Sequence, residues 1–201
     1  MSFADRVVDF AVGDAVADDY TDPTNVLGAP DFTVGSTDKL FALGDPGGSP
    51  DNLDDSLFGF VTVQFTDNSL TTSGDDSADL FVFEVGSSGG GVIESFQVEI
   101  SKDENIWIDL GIVSGDAVVG LDIDGVAGVN VGDMFSFVRV TDAPGGATSG
   151  SPFGGPDIDA IGAISSAPPI VDPPTSVVPL PAAGWALLSA LAVLTGLRRR
   201  A

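Results

Sequence analysis

The sequence predicts an all-β domain, an antiparallel β-sandwich, followed by a C-terminal hydrophobic helix. Three observations carry this. Short segments alternate apolar and polar residues with a period of two. Glycine and proline, 26 and 13 of the 201 residues, punctuate the chain between those segments. No stretch before residue 165 keeps a helical period, whereas the last 25 residues or so hold a long uncharged run.

The strands follow in order. Gly59 to Phe65 sets Val61, Val63 and Phe65 against Thr62 and Gln64. Leu80 to Val85 is almost continuously apolar, which predicts a strand buried on both faces. Val92 to Ser101 turns Phe96, Val98 and Ile100 one way and Ser95, Gln97, Glu99 and Ser101 the other. Lys102-Asp103-Glu104-Asn105 is the hairpin turn into a strand over Asn105 to Leu110. Ala117 to Ile123, Met134 to Thr141 and Asp157 to Ile164 complete seven candidates. The sandwich is expected over residues 1–164, a Pro-rich linker over 165–177 and a terminal signal over 178–201.

Charge narrows the function classes. The chain has 30 acidic and 7 basic residues, a net charge of −23, and three of the basic residues are the terminal Arg198, Arg199 and Arg200. The body keeps only Arg6, Lys39, Lys102 and Arg139, too few for a phosphate-binding patch, so nucleic-acid binding is excluded. Cysteine and histidine are absent, which removes disulfides, thiolate or imidazole metal sites and any Ser-His-Asp triad. Aspartate predominates among the acids. It suits turns, solvated surface and oxygen ligation of hard cations alike.

The C-terminal segment has three parts. Val178-Pro179-Leu180-Pro181-Ala182 precedes an uncharged run from Ala182 to Leu197, and Arg198 to Arg200 follow it. About 16 helical residues span ~24 Å, slightly less than a ~30 Å hydrocarbon core, and residues from Val177 can supply the rest. The arginines place that end in the cytoplasm and the acidic body across the membrane. This layout resembles the PEP-CTERM class of sorting signals in its VPLPA variant. The resemblance implies recognition of Val178, Pro179, Leu180, Pro181 and Ala182 by an exosortase, retention through the arginines, and removal of the membrane helix. It also implies a Gram-negative envelope or extracellular-matrix destination. Export also needs an N-terminal signal, and Met1 to Arg6 has no apolar stretch, so the expectation is either a true start upstream of Met1 or a trimmed form.

A second resemblance covers most of residues 20–165. Its pieces are Asn25-Val26-Leu27-Gly28-Ala29-Pro30-Asp31, Asp79-Leu80-Phe81-Val82-Phe83-Glu84 and Phe96 to Asp103 with Trp107 behind it. Phe137 to Asp142 and Asp157-Ile158-Asp159-Ala160-Ile161-Gly162 follow. Their order is similar to bacterial cell-surface domains of discoidin-like, galactose-binding-like jelly-roll type. Glu104 stands where that family usually has a turn glycine. The resemblance implies a structural calcium ion where the N-terminal loops meet the last strand. Asn25, Asp31, Asp157 and Asp159 suit it, with Asp79 and Glu84 as further candidates. Turn and solvated-surface roles for the same residues stand open beside calcium. Asp122-Ile123-Asp124-Gly125 lacks the later ligands of an EF-hand.

The loop aromatics Tyr20, Phe32 and Phe153 suit either packing over the ends of the sandwich or a sugar platform, while Trp107 is expected in the core. Acid pairs are abundant, but spacing selects none as a glycosidase pair, and the Gly-Gly stretches do not sit between a strand and a helix. The expected function is a non-enzymatic envelope or matrix protein sorted by an exosortase. The alternatives are a calcium-supported carbohydrate-binding module and, third, a secreted polysaccharide-degrading enzyme.

Overall fold

Alternating segments with one apolar face must bury that face against a second layer, and here two antiparallel sheets supply each other's cover. The computed structural model describes residues 1–33, 39–44, 58–85, 94–115, 117–143 and 154–170. Within them the strands are β1 (Ser2–Phe3), β2 (Arg6–Ala11), β3 (Phe41–Ala42), β4 (Phe60–Gln64), β5 (Ser69–Thr71), β6 (Leu80–Glu84) and β7 (Glu94–Ser101). They continue with β8 (Trp107–Gly115), β9 (Val118–Leu121), β10 (Met134–Phe135), β11 (Phe137–Asp142), β12 (Asp157–Ala163) and β13 (Ser166–Ala167). The front sheet has the order β2-β4-β11-β7-β8; the back sheet runs β1-β12-β6-β9, with β3 also on β12. A small third sheet joins β10, β5 and β13. After β4 the chain passes to the back for β6, to the front for the β7–β8 hairpin, to the back for β9, to the front for β11 and to the back for β12. That alternation is a jelly roll.

The core lies between the layers. Val61, Val63, Val98, Ile100, Val138 and Val140 come from the front sheet; Leu80, Val82, Ile158 and Ile161 come from the back, all fully buried. Val26, also fully buried, reaches the core from a short 3₁₀ turn, Pro23–Val26. Asp22 starts that turn by accepting from Thr24 N and Thr24 Oγ1, and Pro23 follows with its φ already set.

Several expectations change in detail. Leu80, Val82 and Glu84 are the buried face of β6, while Phe81 and Phe83 are half-buried on the other, so the strand alternates after all. Phe83 gains cover from Phe3 and Phe81, at ring-centroid distances of 6.1 and 6.3 Å. The predicted strand over Met134 to Thr141 divides at Ser136, whose backbone bonds to Phe65 N and Ser101 O direct β10 and β11 to different partners. The strand predicted over Asn105 to Leu110 starts at Trp107 and continues to Gly115. It passes Gly111 by a register shift against β7, with Gly111 at φ +95°. At the C-terminal boundary, Ser166 and Ala167 pair with Leu70 and Ser69, so the compact unit runs Met1–Ile170 and takes in the first residues assigned to the linker. The remaining linker, Val178 to Ala182 and the terminal arginines lie outside the described residues. Among the described residues no helix is long and apolar enough to cross a membrane.

The predicted β7–β8 turn is present. Ser101 Oγ accepts from Asp103 N and Glu104 N and donates to Ile106 O, while Asp103 Oδ1 accepts from Asn105 N. Glu104 has φ +64°, the left-handed region that costs a side-chain-bearing residue and suits the glycine expected there. Replacing it tests the reading directly: Glu104→Gly should raise unfolding stability by about 0.5–1 kcal/mol in chemical denaturation.

Candidate functional site

β11 sits at the centre of the front sheet, and its period of two decides what the outer surface carries. Val138 and Val140 point inward, so Arg139 and Thr141 point outward. Strand register places Arg139 between Thr62 of β4 and Glu99 of β7, and Thr141 between Phe60 and Gln97. Ile112 of β8 stands opposite Gln97. Apart from the buried Thr62, these outer side chains, with Phe58 and Asp142 at the sheet end, line a cleft of about 470 Å³.

Arg139 is held in place on four sides. Its Nε donates to Thr62 Oγ1 at 3.1 Å, and one terminal nitrogen lies 3.7 Å from Glu99 Oε2. The guanidinium stacks 4.1 Å from the Trp107 ring centroid and 5.7 Å from that of Phe60. Among the described residues its terminal nitrogens donate no hydrogen bond, so N–H groups on a fixed planar fork remain for a ligand. The cleft thus combines two rings and aliphatic side chains with an amide, a hydroxyl, carboxylates and one guanidinium. That is the mixture that orients a polyhydroxylated molecule. Trp107, expected in the core, is half-buried on this outer surface beneath Arg139.

Arg139 was not singled out in the sequence. The available signal is the alternation Phe137-Val138-Arg139-Val140-Thr141, which puts one of four body cations on the solvent face of a strand whose inward face is apolar. Tyr20 is buried in a small apolar cluster with Leu40 and Ala42, and Phe32 packs against it, so both serve packing. Phe153 lies outside the described residues.

The six residues expected to hold calcium do not form one group. Asp159, 7% exposed, accepts from Asp31 N at 3.2 Å and Phe32 N at 3.4 Å, using both oxygens to tie the N-terminal loop to β12. Burial raises its carboxyl above the ordinary range, and those two N–H bonds oppose the rise. Asp31 pairs with Lys39 at 2.7 Å, and the Asn25 amide donates to Leu40 O at 3.0 Å. The loop is therefore joined to the strand by protein donors. A bulge between Ile158 and Ala160 breaks the alternation of β12, so Asp157 and Asp159 do not share a face. Asp157 lies near Glu84 and Glu94 instead. Burial first, then the charges of Glu94 and Glu84, push its carboxyl up to about 8. Asp79 is at the other end of β6 from Glu84, about 17 Å away at 3.4 Å per residue. It meets two residues set aside above: one oxygen each from Asp79, Asp122 and Asp124 lie within 4.8 Å of one another.

No protein-family model matches the sequence, and no curated protein matches it. Solved structures similar to the chain include the C-terminal domain of a chitobiase from Bacteroides fragilis, at 15% identity and a TM-score of 0.46. That alignment covers 86% of this chain and 99% of the other. A pectin-binding carbohydrate-binding module is similar at 11% identity and a TM-score of 0.40, covering 88% of this chain and 96% of that one. A CBM32 domain produced by Clostridium perfringens, in complex with GlcNAc-α-1,4-galactose, is similar at 13% identity and a TM-score of 0.40, over 79% and 94%.

The surroundings of Asp157 make a signed prediction. Below about pH 3.8 the residue is protonated in folded and unfolded chains alike; between about 4 and 8 the folded chain alone keeps the proton. Stability contributed by this group is therefore lost as pH rises through that interval. Asp157→Asn should stabilise the fold little at pH 4 and by roughly 1–3 kcal/mol at pH 8, after allowance for partial solvent access. Denaturant titrations of both proteins across the interval check the sign.

Proposed function

We propose that the chain is an exported, non-enzymatic carbohydrate-binding protein of the bacterial envelope or extracellular matrix. The observation that carries the binding role is the outer-surface cleft of the front sheet. Its Arg139 fork is preorganised on Trp107, and Gln97, Thr141 and Phe60 lie along its floor. Preorganised donors cost little entropy on binding, and a ring face accepts the C–H face of a pyranose. The ligand class follows from charge. With 30 acidic residues in the chain and four basic ones before the terminal arginines, a polyanion is repelled, so a neutral polysaccharide is the fitting partner.

Destination rests on the terminal signal. Val178 to Ala182 address the chain to an exosortase, the apolar run holds it in the inner membrane before processing, and the arginines keep its end in the cytoplasm. After cleavage the domain is free to sit in the envelope or among extracellular polysaccharides.

Two experiments test the two halves. In affinity electrophoresis of the full chain, at least one neutral polysaccharide should retard it and polyanionic ones should not. Arg139→Ala or Gln97→Ala should weaken retardation about tenfold or more. Binding that ignores both substitutions, or that favours polyanions, removes the cleft reading. Release of reducing ends from the bound polysaccharide would favour the degrading-enzyme alternative. For the destination, mass spectrometry of the envelope form should find no peptide from the apolar terminal run; a mature protein that retains it contradicts sorting by cleavage.

A further inference from the structure

Asp79 is the most exposed to cost of the acidic residues because it is wholly buried. It immediately precedes β6 and has 0% of its surface accessible. Its Oδ2 accepts from Ile123 N at 3.1 Å, and its backbone bonds to Leu121 O and Ile164 N tie β6 to β9 and to the end of β12. Its Oδ1 is buried with no hydrogen-bond partner. An ionised carboxylate oxygen left so is costly unless a cation or a proton meets it.

Asp122 and Asp124 converge on it from the loop after β9, each offering an oxygen within 4.8 Å of the others. The three carboxylates are oriented by donors on one oxygen apiece. Asp122 Oδ1 accepts from Asp124 N at 2.8 Å; Asp124 Oδ2 accepts from Gly74 N at 2.8 Å and Ser73 Oγ at 3.0 Å. Asp79 Oδ1, Asp122 Oδ2 and Asp124 Oδ1 accept nothing among the described residues, so each residue keeps one oxygen for a further ligand. Among the described residues no lysine or arginine pairs with any of the three.

We propose that Asp79, Asp122 and Asp124 hold a calcium ion. All-oxygen ligation selects a hard cation, and the ion's flexible six- to eight-fold shell accommodates three carboxylates completed by carbonyls and water. The ion joins the loop at Ser73-Gly74, the start of β6 and the turn after β9. It lies about a strand length from Glu84 and Asp157, and it is independent of the sugar cleft on the other sheet.

The test is thermal melting of the full chain in chelator and in calcium, with calcium itself as the probe. Calcium at about 100-fold above its Kd should raise Tm by roughly 5–10 °C. Asp79→Asn should reverse sign between the two conditions. In chelator it melts at or above the wild type, because a buried charge among like charges has been removed. In calcium it melts below, because the ion is lost. Asp124→Asn, at a more accessible position, should also abolish the calcium shift, whereas Asp9→Asn, on the exposed β2, should preserve it. The proposal is overturned if calcium leaves the wild-type Tm unchanged, if the shift survives both Asp79→Asn and Asp124→Asn, or if Asp157→Asn removes it instead.

Discussion

Carboxylates outnumber cations so heavily in this domain that most must be stabilised by something other than a salt bridge. Three ion pairs involve Lys39, Lys102 and Arg139 among the described residues. The other acids rely on different means. Asp22, Asp75 and Asp103 accept chiefly from donors two residues onward, and those bonds hold their carboxyls below the ordinary range. Asp159 accepts two backbone N–H groups across the fold. Asp157, buried and then also beside Glu94 and Glu84, keeps a proton into the neutral range. Backbone donors and protons thus do the work that lysine and arginine do elsewhere, and the jelly roll's many turns provide those donors.

The same scarcity gives Arg139 its position. An arginine surrounded by aliphatic strands is stabilised by stacking and by neighbouring acceptors, and the front sheet offers both. Trp107 and Phe60 lie to either side, with Thr62 and Glu99 on the adjacent strands. That arrangement depends on inward packing of Val138 and Val140, because a shift of one residue in β11 would exchange the two faces. Core packing and cleft chemistry are therefore set by one register.

How much of this was legible depended on whether the information was local. β4 and β7 could be read because apolar and polar residues alternate along them, whereas β9 and β12 could be read only as short runs rich in apolar residues, β12 being buried along nearly its whole length and broken by a bulge. β1, β3, β10 and β13 have two residues each, too few for a period, and exist through pairing with distant partners. The apolar Phe81 and Phe83 concealed the alternation of β6 because side-to-side aromatic contact also covers an outer face. The bulge at Ile158/Ala160 has no marker in Asp157-Ile158-Asp159-Ala160, so the pair of aspartates looked like a shared face. Asp79 could be picked out as an oxygen donor. Its neighbours could not, since 44 residues separate it from the Ile123 N–H that fixes its carboxylate.

The two ends of β6 meet the same electrostatic problem under different constraints. Near Glu84 the answer is a proton, which Asp157 retains because of its own burial and then the charges of Glu94 and Glu84. At Asp79 one oxygen already accepts Ile123 N, and the carboxylates it meets belong to a turn that presents them in fixed orientation. One oxygen of each of the three carboxylates lies within 4.8 Å of the others, and the proposed divalent ion would meet all three together. On the proposed reading the two ends answer to different solution variables, pH at one and calcium at the other. Because they lie more than 10 Å apart and share no partner, their contributions to stability should add.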